Sequence, residues 1–229
     1  MNGRLLIKAA MRSADMGHLA EQMEGLERGG IDAFHFDIMD GHFVPEICMG
    51  PLFIRGLRKY STRPFEVHLL VTEPDACAEQ YVEAGANCVF IHIEASADPA
   101  TVLARLRARD CQAGLAIAPA TSSSALSPYL HLCDAVNVMT VAPGQPGILQ
   151  EGGVRNLAEV AGMVRRGGGR SLVQADGAVS STTRNQLTGA GAQALVAGYP
   201  IFSQENFEQA IAELRHGEKT SVVHNTERQ

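Results

Sequence analysis

The chain has 229 residues, of which 45% are hydrophobic, and its 19 Lys and Arg residues against 25 Asp and Glu residues give a net charge of −6. It lacks the excess of positive charge that nucleic-acid binding requires, and its apolar content is too high for a disordered protein. No apolar stretch approaches the roughly 18 residues that span a bilayer. We therefore expect a globular protein with no nucleic-acid or membrane partner.

The amino-terminal segment Met1–Ala10 is apolar but carries Arg4 and Lys8, which is atypical of a secretory signal. The five cysteines are odd in number and show no Cys-x-x-Cys spacing, so neither a disulfide framework nor a zinc ribbon is indicated. We expect a cytoplasmic protein with reduced thiols.

Short apolar runs alternate with longer amphipathic ones along the whole chain. We predict eight strands, over Leu5–Ala9, Ala33–Ile38, Phe65–Leu70, Cys88–Ile91, Gly114–Ala118, Ala135–Val141, Ser171–Ala175 and Ala194–Ala197. Helical patterns lie between them. Gly30, Gly85 and Gly191 each precede a strand, where glycine can adopt the left-handed conformation that ends a helix.

The first helical pattern follows the capping candidates Ser13 and Asp15. Its apolar residues recur at spacings of three and four and are Met16, Leu19, Ala20, Met23 and Leu26. Pro51 and Pro74 are placed to open the next two helices, because the first turn of a helix needs no N–H from them. A further short helix is predicted within Ser122–Leu130.

Strands that alternate with helices imply a parallel sheet. Eight units in this length make about 29 residues each, close to the roughly 30 of a βα repeat. We therefore predict an α/β fold, a closed (βα)₈ barrel with one domain over residues 1–215 and a polar tail over residues 216–229. A doubly wound open sheet is the alternative, although no Gly-rich dinucleotide motif follows the first strand.

In such a barrel, function lies where the strands end. The polar residues at predicted strand ends are His35, Asp37, Glu66, His68, His92, Glu94, Asn137 and Asp176. Nitrogen and carboxylate ligands from separate strands can converge at one mouth and suit zinc, iron, manganese or cobalt. A structural interpretation stands beside this one. His-x-Asp is often a plain hydrogen-bonded pair, Asp176-Gly177 is a common turn, and Met39 and Met139 are typical core residues.

The segment His35-Phe-Asp-Ile-Met-Asp-Gly-His-Phe-Val-Pro45, followed by Gly50-Pro51, resembles the signature of the ribulose-phosphate 3-epimerase family. The similarity continues through Glu66–Val71, Glu83–Ala86, Ala118–Thr121, Met139–Gly144, Ala175–Gly177 and Val196–Gly198. It extends from Ile7 to Leu214, and the family fold is a (βα)₈ barrel, in agreement with the strand pattern.

The resemblance implies one divalent metal ion bound by His35, Asp37, His68 and Asp176, with Asp37 and Asp176 as the acid–base pair. Epimerisation beside a ketone removes a carbon-bound proton and returns one to the opposite face, which two flanking carboxylates can perform. A divalent ion stabilises the ene-diolate formed between the two steps. The family's members are homo-oligomers that bind a small sugar phosphate, and we expect both properties here.

The resemblance also implies a set of substrate-binding positions, which are Ala10, Met39, His68, Met139, Gly144, Gly147, Gly177, Ala178, Gly198 and Tyr199. A third methionine of the family is replaced by Leu70. Ala10 stands where the family has serine, and Ala178 and Tyr199 stand where it has glycine and serine. The phosphate loop reads Pro143-Gly-Gln-Pro-Gly-Ile148, in which Pro146 removes an N–H. Tyr199 and Pro200 are expected to narrow the phosphate site, and no nearby Lys or Arg obviously compensates.

These departures leave the substrate open. The favoured function is metal-dependent 3-epimerisation of a ketose phosphate, either ribulose 5-phosphate to xylulose 5-phosphate or a related sugar phosphate. The alternatives are an epimerase or isomerase of another ketose, such as allulose 6-phosphate or an unphosphorylated sugar, and a metal-dependent lyase or isomerase that uses the same intermediate. A further alternative is a barrel that binds sugar phosphates without catalysis.

Overall fold

A computed structural model describes residues 3–145 and 147–217 of the chain. Nine strands are present in these residues: β1 (Leu6–Ala10), β2 (Ala33–Asp40), β3 (Ile47–Cys48), β4 (Phe65–Leu70), β5 (Cys88–His92), β6 (Gln112–Ile117), β7 (Ala135–Met139), β8 (Leu172–Asp176) and β9 (Ala194–Ala197). The α-helices are α1 (Leu19–Arg28), α2 (Pro51–Arg58), α3 (Pro74–Glu83), α4 (Pro99–Arg107), α5 (Glu151–Arg166), α6 (Arg184–Gly189), α7 (Tyr199–Phe202) and α8 (Phe207–His216). None of the described helices is long and apolar enough to cross a bilayer.

The sheet is a closed barrel. β1 pairs in parallel with β2, where Lys8 lies opposite Ala33, and also with β9, where Lys8 lies opposite Val196. The remaining parallel pairs complete a ring in the order β1, β2, β4, β5, β6, β7, β8, β9. The predicted eightfold barrel is confirmed, and the open sheet is excluded because β1 has a partner on both sides.

The strand β3 was not predicted. It pairs antiparallel with β2, with Met39 opposite Cys48, and lies outside the eight-stranded ring. Two residues are too few to give a recognisable alternation of apolar and polar side chains. The turn between β2 and β3 is held by Asp40, whose Oδ1 accepts from the backbone N–H groups of His42 at 2.8 Å and Phe43 at 2.9 Å.

Two of the three predicted helix starts are confirmed, since Pro51 opens α2 and Pro74 opens α3. The predicted start of the first helix is wrong. Asp15 accepts from the N–H of Gly17 at 2.9 Å and so forms a turn ahead of the helix, which begins only at Leu19. Met16 consequently lies outside the helix and is exposed.

The short helix predicted within Ser122–Leu130 is a 3₁₀ turn over Ser123–Leu126. Gly30, Gly85 and Gly191 have φ of 81°, 107° and 110°, as their predicted place at the helix ends requires. The predicted tail falls mostly outside the described residues, and His216 is the last residue of α8.

Alternate residues of each strand face the helices or the barrel interior. An apolar plug fills part of the barrel interior and is formed by Cys88, Phe90, Ala116, Ala135 and Leu172. The Phe90 ring fills space next to Gly114, where a Cβ atom would lie 2.3 Å from Phe90 Cδ1. Only glycine fits there, and the interior above the plug is lined by polar residues.

Candidate active site

Four side chains from three strands converge above the plug. The strand register places Asp37 opposite His68 across β2 and β4, while Asp176 ends β8. One ligand atom from each of His35, Asp37, His68 and Asp176 lies within 4.8 Å of all the others. The four residues that the family resemblance singled out therefore lie together, as the shared carboxyl edge of parallel strands allows.

The cluster has a buried side and an open side. The imidazoles of His35 and His68 are fully buried, whereas the side chains of Asp37 and Asp176 are 13% and 11% exposed. His68 Nδ1 lies 3.0 Å from Asp37 Oδ1 and 3.4 Å from Asp176 Oδ2. The same two carboxylate oxygens each lie 3.5 Å from His35 Nε2. The imidazoles thus lie beneath, and the carboxylates face the mouth.

This donor set fits a divalent metal ion. His35 Nε2 is buried and makes no hydrogen bond in the described structure, an unusual state for a polar atom that a metal would relieve. Two carboxylates supply the two negative charges that neutralise a divalent ion, and mixed nitrogen and oxygen ligands suit first-row metals. The cluster can therefore hold a metal ion whose identity the ligands alone do not fix.

The charges of the cluster reinforce one another. Burial alone lowers the pKa of His35, but the surrounding carboxylates of Asp176, Asp37 and Glu66 outweigh it and raise that pKa well above 6.5. The pKa of His68 is raised in the same way. Burial alone raises the pKa values of Asp37 and Asp176, but the two imidazoles outweigh it and hold both below the usual range. The cluster therefore pairs acidic with basic groups, and a cation that binds there must displace imidazole protons.

A belt of hydrogen bonds inside the barrel holds the cluster from below. Asn137 Nδ2 donates to Asp176 Oδ2 at 2.8 Å, and Gln174 Nε2 donates to Asn137 Oδ1 at 2.8 Å. Lys8 Nζ then donates to Gln174 Oε1 at 2.6 Å and also to Glu66 Oε1. Glu66 Oε2 lies 3.3 Å from Nδ1 of His35 and so closes the belt back onto the cluster. Each of these side chains is buried, so the positions of the ligands are fixed by partners on several strands.

A second chain of contacts runs from His68 away from the cluster. His68 Nε2 lies 3.0 Å from His92 Nε2, and His92 Nδ1 lies 2.8 Å from Glu94 Oε2. If the Nδ1 lone pair of His68 is to bind a cation, its proton must reside on Nε2 and be donated to His92. His92 must then carry its own proton on Nδ1 and donate it to Glu94. The pKa values agree, since burial lowers that of His92, while that of Glu94 is lowered to about 2 because its contact with His92 outweighs burial.

Replacing His92 with phenylalanine is expected to weaken divalent-metal affinity about 10- to 100-fold, the usual effect of removing a partner of a metal ligand. The ring is retained, but His68 loses the acceptor that fixes its tautomer. Calorimetric titration with Zn²⁺ or Mn²⁺ measures the change. The variant His131→Phe, at an exposed histidine remote from the cluster, serves as the control. Equal metal affinity in both variants would contradict the role of His92 in fixing the tautomer of His68.

The cluster opens into a cavity of about 270 Å³ at the carboxyl ends of the strands. This is near the lower end of the roughly 300–1,000 Å³ of ligand pockets and suits a small molecule. Beside the two carboxylates the wall is apolar, because Met39, Leu70 and Met139 pack together with Val44 from the turn after β2. Small polar molecules can therefore meet the carboxylates next to a wall that offers no hydrogen bonds.

Nine of the ten predicted substrate-binding residues line this cavity, namely Ala10, Met39, Met139, Gly144, Gly147, Gly177, Ala178, Gly198 and Tyr199. The tenth, His68, does not, because it is fully buried beneath Asp37 and Asp176. The position of His68 suits holding a cation, and a contact between this residue and substrate stays a prediction.

The altered loops form the rim of the mouth. Tyr199 and Pro200 line the cavity there, and Tyr199 is 79% exposed. Pro146 lies outside the described residues. Gly144, Gly177 and Gly198 also have packing roles, since a Cβ would lie 2.7 Å from Val44, 2.4 Å from Val141 and 2.2 Å from Ser13 Oγ, respectively. Ala178 occupies a left-handed conformation, with φ of 47°, that glycine adopts more readily.

Lys8 and Arg12 belong to the site but were not predicted from the sequence. A lysine within an apolar strand gives no sign of its partners, which lie 58 and 166 residues away. Arg12 lines the cavity and was overlooked because it follows the first strand rather than ending it. Its position could have indicated a role in the site, because Arg12 lies two residues beyond the end of β1, where the loops of such a barrel form the functional site.

Comparison with known proteins agrees with the geometry. The model of the "Ribulose-phosphate 3 epimerase family" matches residues 6–202. The curated ribulose-phosphate 3-epimerase of Escherichia coli is 34% identical to this chain, and the match covers 96% of this chain and 98% of the relative. The curated enzyme of Synechocystis is 31% identical, and the match covers 96% of each chain. The Bacillus subtilis enzyme is 33% identical over 92% of this chain and 99% of its own.

Solved structures confirm the barrel fold. A 3-hexulose-6-phosphate synthase superposes with a TM-score of 0.70 at 17% identity, covering 94% of this chain and all of that chain. Orotidine 5'-phosphate decarboxylase from Pyrococcus horikoshii superposes with a TM-score of 0.66 at 14% identity, covering 92% and 97%. At these identities the likeness concerns the fold alone. The match over residues 6–202 and the near full-length curated relatives place the chain in the ribulose-phosphate 3-epimerase family, a family of isomerases.

Proposed function

We propose that the protein is a divalent-metal-dependent 3-epimerase of a ketose phosphate, with ribulose 5-phosphate and xylulose 5-phosphate as the first pair to test. The observation that supports it most is the His35, Asp37, His68 and Asp176 cluster at the floor of a small cavity, with the carboxylates on its open side and the imidazoles fully buried. The family relationship supports the same function.

His35 Nε2, His68 Nδ1 and one oxygen of each aspartate would hold the metal ion, which is zinc, iron, manganese or cobalt in this proposal. When bound, such an ion supplies Lewis-acid stabilisation of the negative charge that develops on the ketone and its neighbouring hydroxyl oxygen. The belt from Lys8 and the contact with His92 hold these ligand atoms in place.

Asp37 and Asp176 would move the proton. Oδ1 of Asp37 and Oδ2 of Asp176 face the imidazoles, whereas Oδ2 of Asp37 and Oδ1 of Asp176 make no hydrogen bond with a described residue. These two oxygens are available to the substrate. The aspartates stand on β2 and β8, separated in the ring by β9 and β1, so the carbon chain of a ketose can lie between them. One removes the proton at carbon 3 while the other, protonated, delivers a proton to the opposite face.

The apolar wall would protect the intermediate. Met39, Leu70 and Met139 are at most 5% exposed and line the cavity beside the two carboxylates. They offer no proton to the reacting carbon, which leaves the two carboxyls to supply and remove it. The replacement of a family methionine by Leu70 keeps this side apolar.

The test is NMR of the metal-loaded protein with ribulose 5-phosphate in heavy water. We expect deuterium to enter at carbon 3 while xylulose 5-phosphate appears. If neither signal arises with metal confirmed bound, the same experiment with allulose 6-phosphate and then unphosphorylated ketoses decides among the alternative substrates. Loss of a carbon–carbon bond in place of epimerisation would indicate the lyase alternative. Sugar-phosphate binding with no proton exchange for any ketose would reject the proposal in favour of a binding barrel.

Metal binding is expected to release protons at pH 7. The pKa values of His35 and His68 are raised above 6.5, so both imidazoles are protonated to a larger extent than free histidine, and a metal must displace these protons. Affinity should therefore rise as pH increases through and above 7. Calorimetry in buffers of different ionisation enthalpy measures the released protons. The variant His35→Gln should release fewer, and an affinity independent of pH between 6 and 8 would contradict the raised pKa values.

A further inference from the structure

We propose that Arg12 binds the phosphate end of the substrate and so makes the enzyme selective for phosphorylated ketoses. This inference rests on the proposed function. It assigns phosphate recognition to a side chain that is not part of the family pattern. It places a guanidinium, in addition to backbone N–H groups, at the anion site.

Arg12 occupies the short 3₁₀ turn Met11–Ser13, directly after β1. Its side chain lines the same cavity as Asp37 and Asp176, and no other Lys or Arg of the described residues does so. Two carboxylates therefore line the floor of the cavity, and a single arginine lies near its rim. A ketose phosphate, with polar hydroxyls at one end and an anion at the other, matches this arrangement.

The guanidinium already contacts loops on two sides of the mouth. Nη2 pairs with the carboxylate of Glu46, in the turn between β2 and β3, and lies 3.4 Å from the carbonyl oxygen of Gly144, in the loop after β7. Nε and Nη1 make no hydrogen bond within the described chain. An arginine presents five N–H donors in a planar fork that matches phosphate, so most of its donors remain available to a ligand.

Two further features favour a positive group at this position. Pro200 lines the cavity and contributes no N–H to the first turn of α7. The net charge of −6 opposes the approach of an anionic substrate. Arg12 offsets this repulsion locally, and it does so with a group that pairs with phosphate bidentately.

The competing interpretation is that Arg12 only ties the two loops together through Glu46. The side chain of Glu46 is 48% exposed and that of Arg12 is 32% exposed. Such surface pairs stabilise proteins by little. The two interpretations differ in what Glu46→Gln should do. That change breaks the ion pair but leaves the guanidinium free for a ligand.

The experiment compares Arg12→Gln, Arg12→Lys and Glu46→Gln in the metal-loaded protein. We expect Arg12→Gln to raise KM for a ketose phosphate about 10- to 100-fold, the range for loss of a charge-assisted pair, with kcat changed by less than about threefold. Inhibition by inorganic phosphate should weaken by the same factor, while KM for an unphosphorylated ketose should not change. Arg12→Lys should recover part of the loss, because it restores the charge without the fork.

Glu46→Gln should leave KM for the ketose phosphate unchanged or lower it. If Arg12→Gln leaves KM and phosphate inhibition unchanged, or if Glu46→Gln raises KM as much as Arg12→Gln does, the proposal is overturned. Should the wild-type protein turn over no ketose, the proposed function fails separately. Arg12 is then judged by calorimetric binding of inorganic phosphate, where equal affinity in wild type and Arg12→Gln rejects its role and weaker binding in the variant supports it.

Discussion

Replacing Asp176 with asparagine is expected to leave the barrel folded and to slow deuterium exchange at carbon 3 by roughly 10²- to 10⁴-fold, the usual contribution of a general acid or base. An amide cannot accept and return the proton. Asn137 Nδ2 donates to Asp176 Oδ2 at 2.8 Å in the wild-type chain. The fold should persist in the variant because an asparagine oxygen can still accept this hydrogen bond.

Metal content must be measured beside the exchange rate, because Asp176 belongs to the candidate metal cluster. A variant that holds its metal but exchanges no proton locates the defect in proton transfer, whereas loss of the metal locates it in binding. Asp110→Asn is a matched control at an exposed site with φ of 56°, a conformation that asparagine tolerates well. Full exchange in Asp176→Asn would remove this residue from the proposed acid–base pair.

The second large effect concerns stability. Lys8→Met is expected to lower the free energy of unfolding by about 3–5 kcal/mol, because it removes one partner of a buried ion pair and leaves the other charge uncompensated. Lys8 is 2% exposed and Glu66 5% exposed, so water does not replace the lost contact. Urea denaturation followed by circular dichroism measures the change.

The control is Lys59→Met, at an exposed lysine. It should alter the free energy of unfolding by no more than about 0.5 kcal/mol, as is usual for surface substitutions. The double variant Lys8→Met with Glu66→Gln should recover part of the loss, since the uncompensated charge is gone. A loss below about 1 kcal/mol in Lys8→Met would show that the buried pair does not stabilise the barrel interior.

The same pair predicts a dependence on pH. Burial alone raises the pKa of Glu66, but Lys8 and His35 outweigh it and lower that pKa from 4.5 to about 2. A carboxyl with a lowered folded-state pKa stabilises the fold above its unfolded pKa and loses this contribution as pH falls through the folded value. The contribution should therefore be complete above pH 4.5 and decline toward pH 2, and the decline should be smaller in Lys8→Met.

The sequence predicted the barrel because alternating strand and helix patterns at about 30-residue intervals admit few arrangements. Parallel strands bring their carboxyl ends to one edge, so the strand pattern indicated that imidazoles and carboxylates from separate strands could converge. The family resemblance singled out His35, Asp37, His68 and Asp176 among them. The family resemblance then assigned roles to positions that pattern alone left open.

What could not be predicted depends on contacts between distant segments. The burial of Lys8 follows from Glu66 and Gln174 on other strands, and nothing local distinguishes it from a solvent-exposed lysine. The predicted start of α1 was wrong because the side chain of Asp15 accepts a hydrogen bond from the backbone N–H two residues later and so forms a turn instead of a helix cap. The exposure of Tyr199 likewise depends on the direction of α7 at the rim, which the sequence does not specify.

The Phe90 plug fills the barrel interior beneath the candidate metal ligands. Its ring lies beside His35, with ring centroids 6.1 Å apart. The exposed side of the two aspartates faces the mouth, which a substrate would occupy during a turnover. In the proposed mechanism, the hydrogen taken from the sugar would stay on its aspartate until the sugar leaves. The rate at which a labelled hydrogen washes out into the solvent should accordingly time the departure of the sugar rather than the breaking of the carbon–hydrogen bond.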